Sequence, residues 1–219
     1  MRMFFALMLM VSCIKQDVIK NVENDKDDVI TAAANEILVD DSGRVIVNID
    51  TTFFDDNYVS KTFVYPVNHG ENLNGYTEAF GFFQKNRSGG IHLGTDISKP
   101  GEEDFGDTLY SISNGRVILV LADILMVLHK TEGKFLVSVY RHCNEIFVKQ
   151  EQYINAAQTV GTIGNCNGTY TAHLHLELRN NTTLKIETGY AFTKQPGYLN
   201  PIKFIKDYSQ EVTKKRCKN

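Results

Sequence analysis

The sequence predicts a mainly β fold, an antiparallel sheet with a small N-terminal extension, and three observations carry that prediction. From Thr62 onward, short runs rich in β-branched and aromatic residues recur, parted by Gly, Asn and Asp. One run, Thr171 to Leu178, alternates strictly between polar and apolar residues. Only two stretches, one near each end, read as helices.

Taken in order, residues 1–13 form a lipoprotein-type signal segment. Arg2 precedes an apolar run from Phe4 to Val11 that is too short to span a bilayer, as expected of a secretory signal. The run ends in Met10-Val11-Ser12-Cys13, which resembles a bacterial lipobox with Met10 where Leu is usual. Cys13 is the lipidation candidate, and its acyl chains would anchor the chain to a membrane. An uncleaved anchor or a simple secreted protein are the other readings. The expected location is extracytoplasmic, as a membrane-anchored periplasmic lipoprotein.

Residues 14–62 are an acidic tether and small N-terminal extension, with eleven acidic against five basic side chains. Within them Val29 to Leu38 reads as a short helix. Val45, Val47 and Ile49 read as a strand beyond an Asp41-Ser42-Gly43 turn. The main domain spans residues 63–206. Its expected strands are Phe63–Val67, Arg116–Leu121, Ile124–His129, Phe135–Tyr140, Thr159–Ile163 and His173–Arg179. Asn200-Pro201 opens a short closing helix, with Pro201 where a missing N–H costs nothing. Residues 207–219 are a basic C-terminal tail.

A composition of 42% hydrophobic and 22% charged residues is that of a soluble globular protein, and a net charge of −3 gives no reason to expect nucleic acid.

Chemistry concentrates in two segments. In Thr171-Ala172-His173-Leu174-His175-Leu176-Glu177-Leu178, strand geometry places His173, His175 and Glu177 on one face and the leucines on the other. The second segment is Gly90-Ile91-His92-Leu93-Gly94-Thr95-Asp96, where Gly94 disfavours helix and lets His92 and Asp96 converge. Two imidazoles and a carboxylate form a three-ligand set of the kind catalytic zinc uses, whereas structural zinc fills all four positions.

Residues 63–206 resemble the lysostaphin-type (LytM-domain) zinc metallopeptidases, which cleave peptide bonds of bacterial peptidoglycan. The resemblance runs through Phe63-Val64-Tyr65-Pro66-Val67, Ala79-Phe80-Gly81, His92-x-x-x-Asp96-Ile97 and Asn114-Gly115-Arg116-Val117. It continues in Tyr140-Arg141-His142, Gly161-Thr162-Ile163-Gly164-Asn165, His173-Leu174-His175-Leu176-Glu177 and Asn200-Pro201. It implies a duplicated hybrid motif whose antiparallel sheet forms a narrow groove. It also implies that His92, Asp96 and His175 bind zinc, while His142 and His173 face the reacting carbonyl, and that peptidoglycan peptides are the substrate. The chain departs from the family in Leu176, where Phe is usual, and in Thr171-Ala172, where Gly-Pro is common.

Glu177 is expected either to orient a ligand imidazole or to be a solvated or salt-bridged carboxylate. His69 and His129 are expected to be packed or surface histidines. With Cys13 acylated, Cys143, Cys166 and Cys217 remain, and in an oxidising compartment Cys143 and Cys166 are a candidate disulfide, with two unpaired thiols as the other reading. Two readings compete with a peptidoglycan endopeptidase: a non-catalytic regulator of another cell-wall hydrolase, and a zinc hydrolase of other secreted peptides. Oligomeric state is not encoded in any motif.

Overall fold

The computed structural model describes residues 35–39, 45–101, 103–180, 183–185 and 190–216. The strands in chain order are β1 (Asn35–Val39), β2 (Val45–Ile49), β3 (Thr77–Phe80), β4 (Ile91–His92), β5 (Thr95–Ser98) and β6 (Thr108–Tyr110). They continue as β7 (Gly115–Leu121), β8 (Ile124–Thr131), β9 (Lys134–Arg141), β10 (Cys143–Ile146) and β11 (Tyr153–Ile154). The last are β12 (Thr159–Ile163), β13 (Leu174–Arg179), β14 (Thr183–Lys185), β15 (Tyr190–Ala191) and β16 (Tyr198–Leu199), before helix α1 (Pro201–Arg216).

An eight-stranded sheet dominates, in the order β11-β7-β8-β9-β13-β5-β3 with β16 paired to β13. All of its pairings are antiparallel. The mainly β expectation is borne out. Its centre is apolar on both faces, which is why Val117 to Leu121 and Ile124 to Leu128 read as continuous hydrophobic runs rather than alternating ones. Val117, Leu125, Val127, Leu136 and Tyr140 point into one core with Leu174, Leu176 and Leu178. Ile118, Met126, Leu128, Val137 and Val139 point the other way, onto Val47, Ile49 and Phe54 of the N-terminal extension. The extension is thus a cover for one sheet face. Cross-strand pairing of Glu177 with Val139 and Arg179 with Val137 puts the polar side of β13 on that same face.

Three expected elements differ. Residues 35–39 form strand β1 paired with β2, not the end of a helix from Val29, because Asn35 to Val39 finds a complementary strand. The part before residue 35, the Asp41-Ser42-Gly43 turn and the whole signal segment with Cys13 lie outside the described residues. Phe63–Val67 is not a strand. Its backbone bonds go instead to a loop and a turn, Val64 N–H to the Ile112 carbonyl and Tyr65 N–H to the Gly70 carbonyl, while Phe63 is buried against Phe204 and Tyr208 of α1. Finally α1 runs to Arg216, longer than the short closing helix expected. The Asn200 side chain caps it by accepting from Lys203 N–H at 2.9 Å. No helix among the described residues is long and apolar enough to cross a membrane.

Candidate metal centre and groove

Antiparallel pairing of β13 with β5 sets His175 directly opposite Asp96, between the Leu174–Ile97 and Leu176–Thr95 pairs. Opposed residues share a face, so the register alone brings imidazole and carboxylate together. His92 arrives from β4, after which the chain bends through Leu93 and Gly94 into β5. A Cβ at Gly94 would lie 2.5 Å from the Leu176 carbonyl oxygen and 2.8 Å from His175 Nε2, so only glycine fits where the bend crosses β13.

The inner atoms converge tightly. His92 Nε2 lies 2.8 Å from His175 Nδ1 and 3.1 Å from Asp96 Oδ1, and His175 Nδ1 is 2.9 Å from the same oxygen. The outer nitrogens are committed elsewhere: His92 Nδ1 donates to the Gly81 carbonyl at 3.1 Å and His175 Nε2 donates to Glu177 Oε1 at 3.2 Å. With each ring's proton directed outward, two lone pairs and a carboxylate oxygen face one point. Three acceptors held this way fit a divalent cation of the zinc type, with imidazole tautomers fixed by their outer partners.

Glu177 is fully buried and clamped from both sides, taking Arg141 Nε at 3.0 Å on Oε1 and Arg179 Nε at 2.8 Å on Oε2. Burial works against its charge, but the Arg179 and Arg141 guanidiniums outweigh it and hold the carboxyl well below its usual range. Asp96 is likewise lowered, burial being overcome by the hydrogen bonds of His175 and His92. His175 is raised: burial opposes its charged form, and the Asp96 and Glu177 carboxylates prevail.

His142 and His173 sit beside this cluster, their rings 4.7 Å apart, with His142 6.2 Å from the His175 ring. Neither lies in a strand. His142 occupies the kink between β9 and β10 with φ of 64°, its backbone N–H bonded to Asp123 Oδ2 at 3.2 Å. His173 Nδ1 donates to the Thr171 carbonyl at 2.7 Å, which leaves Nε2 on the Asp96 side, 3.8 Å from Oδ1. The His142 pKa is lowered by burial, with the Asp123 carboxylate opposing, so the ring is neutral near neutral pH. Tyr170 stands 5.1 Å from the His142 ring.

All five histidine and aspartate positions expected at the site therefore come together, and Glu177 is buried rather than solvated, bonded to the His175 ring and salt-bridged to Arg141 and Arg179. The Cys143 to Cys166 disulfide is not formed. Cys143 points into the apolar core, where burial raises its thiol pKa, whereas Cys166 lies in a turn with φ of 51° beside His142 and Asp123. His129 is a structural residue, buried between the Asn114 carbonyl and Ser138 Oγ at 2.8 Å each. His69 is exposed beside Tyr110. Arg141, Arg179 and Asp123 escaped the sequence reading. The alternation that picked out Glu177 extends to Arg179; nothing local marks Asp123.

Residues 90–186 match the family model of Peptidase family M23, which bears out the resemblance read from the sequence. Nothing matches among the curated proteins. Among solved structures, the chain is similar to lysostaphin at 21% identity, covering 62% of this chain and 52% of that one with a TM-score of 0.49. This chain thus spans about half the length of that relative. The catalytic domain of the antimicrobial peptidase lysostaphin from Staphylococcus simulans matches at 21% identity, over 61% of this chain and 95% of that one, TM-score 0.49. A zinc-containing peptidase from Vibrio cholerae matches at 22% identity, over 74% and 47%, TM-score 0.44.

Proposed function

From a chain whose residues 90–186 form a Peptidase family M23 domain, we propose a zinc-dependent endopeptidase that cleaves crosslinks or stem peptides of bacterial peptidoglycan. The observation that carries this reading is the convergence of His92 Nε2, Asp96 Oδ1 and His175 Nδ1 with both imidazole protons turned away. Three protein ligands leave a coordination position for chemistry. A zinc ion bound there supplies Lewis-acid polarisation of a scissile carbonyl and acidifies water.

The chain's own groups do the rest. Glu177, held by Arg141 and Arg179, keeps the Nδ1 lone pair of His175 pointing inward. His173 has its Nδ1 proton committed to Thr171, so its Nε2 is the atom that can accept a proton from water or return it to a leaving amine. His142, neutral and on the same side, can donate an N–H to the oxygen that gains charge as the carbonyl is attacked. The N-terminal segment through Cys13 would tether the enzyme to a membrane outside the cytoplasm.

Digestion of isolated sacculi, followed by mass spectrometry of muropeptides, tests the reading. Cleavage that stops with a chelator and returns with zinc supports it and names the bond. A folded, zinc-loaded chain that cleaves other peptides and leaves sacculi intact would replace the substrate. One that cleaves nothing would favour the regulator.

A further inference from the structure

A second set of ligand-type side chains stands on the far side of His142: Asp123, His142 and Cys166 each offer an atom, and these atoms all lie within 4.8 Å of one another. They come from three separate turns. Asp123 follows Ala122 in the β7–β8 hairpin, His142 sits in the β9–β10 kink, and Cys166 heads the turn after β12. Ala122, His142 and Cys166 all have positive φ, so the backbone places each turn here against ordinary preference. His142 Nδ1 is inaccessible to solvent and makes no hydrogen bond, although Asp123 Oδ2 lies 3.4 Å away. A solvent-inaccessible nitrogen without a hydrogen bond, beside a carboxylate and a thiol, is a group that calls for an explanation.

We propose that Asp123, His142 and Cys166 form a second, inhibitory site for a borderline-soft divalent cation, zinc foremost. The donor set decides the class: thiolate with imidazole selects zinc over magnesium or calcium, and the carboxylate adds charge. Sulfur also separates it from the first site, which has only nitrogen and oxygen donors. Binding displaces the Cys166 proton to solvent and forms a sulfur–metal bond, with no change of oxidation state. Because His142 belongs to both the reaction and this set, an ion held here fixes the ring. The inference rests on the endopeptidase reading for its effect on rate, but not for the binding itself.

The test uses the full chain loaded with one equivalent of zinc and then titrated with cobalt(II), reading the near-ultraviolet thiolate-to-cobalt absorption, with peptide hydrolysis followed in parallel during a zinc titration. Wild type should take up a second equivalent with a thiolate band and lose activity as it does so. Cys166→Ser should keep its basal activity, lack the band and resist excess zinc. Its affinity for the second ion should fall by more than the roughly 10- to 100-fold that losing an outer partner costs. His142→Ala, as a second variant, should also lose the band while still binding its first equivalent. A single equivalent in wild type, or a band that survives Cys166→Ser, overturns the proposal. If the chain hydrolyses no peptide at all, the band and stoichiometry still decide the site, and only the endopeptidase reading fails.

Discussion

The two sides of the candidate site are built in opposite ways. Asp96 and His175 are carried on paired strands and His92 at the end of a third, with each imidazole held by an outer partner. His142 and His173 are carried on kinks and turns, half-buried, and one of them holds an unsatisfied nitrogen. Strand register fixes where an ion sits, while the loops place the groups that must exchange protons and meet substrate. The contrast predicts that damage to the first side abolishes metal binding and damage to the second slows chemistry alone.

Asp96→Ala should break the strand side most completely, because it removes the one carboxylate that both imidazoles face. Zinc content and turnover should vanish together; retention of zinc would show that the two histidines suffice. On the loop side, His142→Ala should lower turnover by roughly 100- to 1,000-fold, the usual loss for an oxyanion or proton-transfer partner. Unchanged turnover would make His142 structural and leave His173 alone with the chemistry.

Glu177→Gln sharpens the comparison by attacking the ligand side from behind. Zinc affinity should drop by about 10- to 100-fold. Stability should also fall by about 3–5 kcal/mol, since Arg141 and Arg179 would be left as buried charges without their carboxylate. Chemical unfolding and competition with a chelator read the two effects, and equal zinc affinity would reduce Glu177 to a packing role.

The smallest effect lies away from the candidate site. Burial lowers the His129 pKa to about 4, so between an ordinary value near 6.5 and about 4 the unfolded chain binds a proton that the folded chain refuses. Stability from this residue is complete above that window and lost as pH falls through it, by about 3 kcal/mol in total. Urea unfolding at several pH values should show the slope in wild type and lose it in His129→Gln; an equal slope in both assigns the acid sensitivity to other groups.

Much of the site is legible in the sequence, for a physical reason that applies to one side and fails on the other. The strict alternation in Thr171 to Leu178 fixes a face, and a face in a strand is a position in space, so His175 and Glu177 are grouped by spacing alone, whereas His173 stands just ahead of β13 and is placed by its turn. Gly94 was legible as a bend, but the close approach of the Leu176 carbonyl that demands glycine is a tertiary fact. The loop side was opaque: Asp123 and Cys166 meet His142 only because three distant turns fold together. The misread N-terminal helix has the same cause, since β1 is a strand by virtue of its partner β2 rather than of its own composition.

The most direct test of the division between the two sides is the zinc content of His175→Ala beside that of His142→Ala, each offered one equivalent and measured by atomic absorption after desalting, with folding checked by circular dichroism. Two imidazoles and a carboxylate as the sole ligands of the catalytic ion predict that His175→Ala retains almost none while His142→Ala retains its zinc in full. A folded His142→Ala protein that loses zinc as completely as His175→Ala would contradict the assignment.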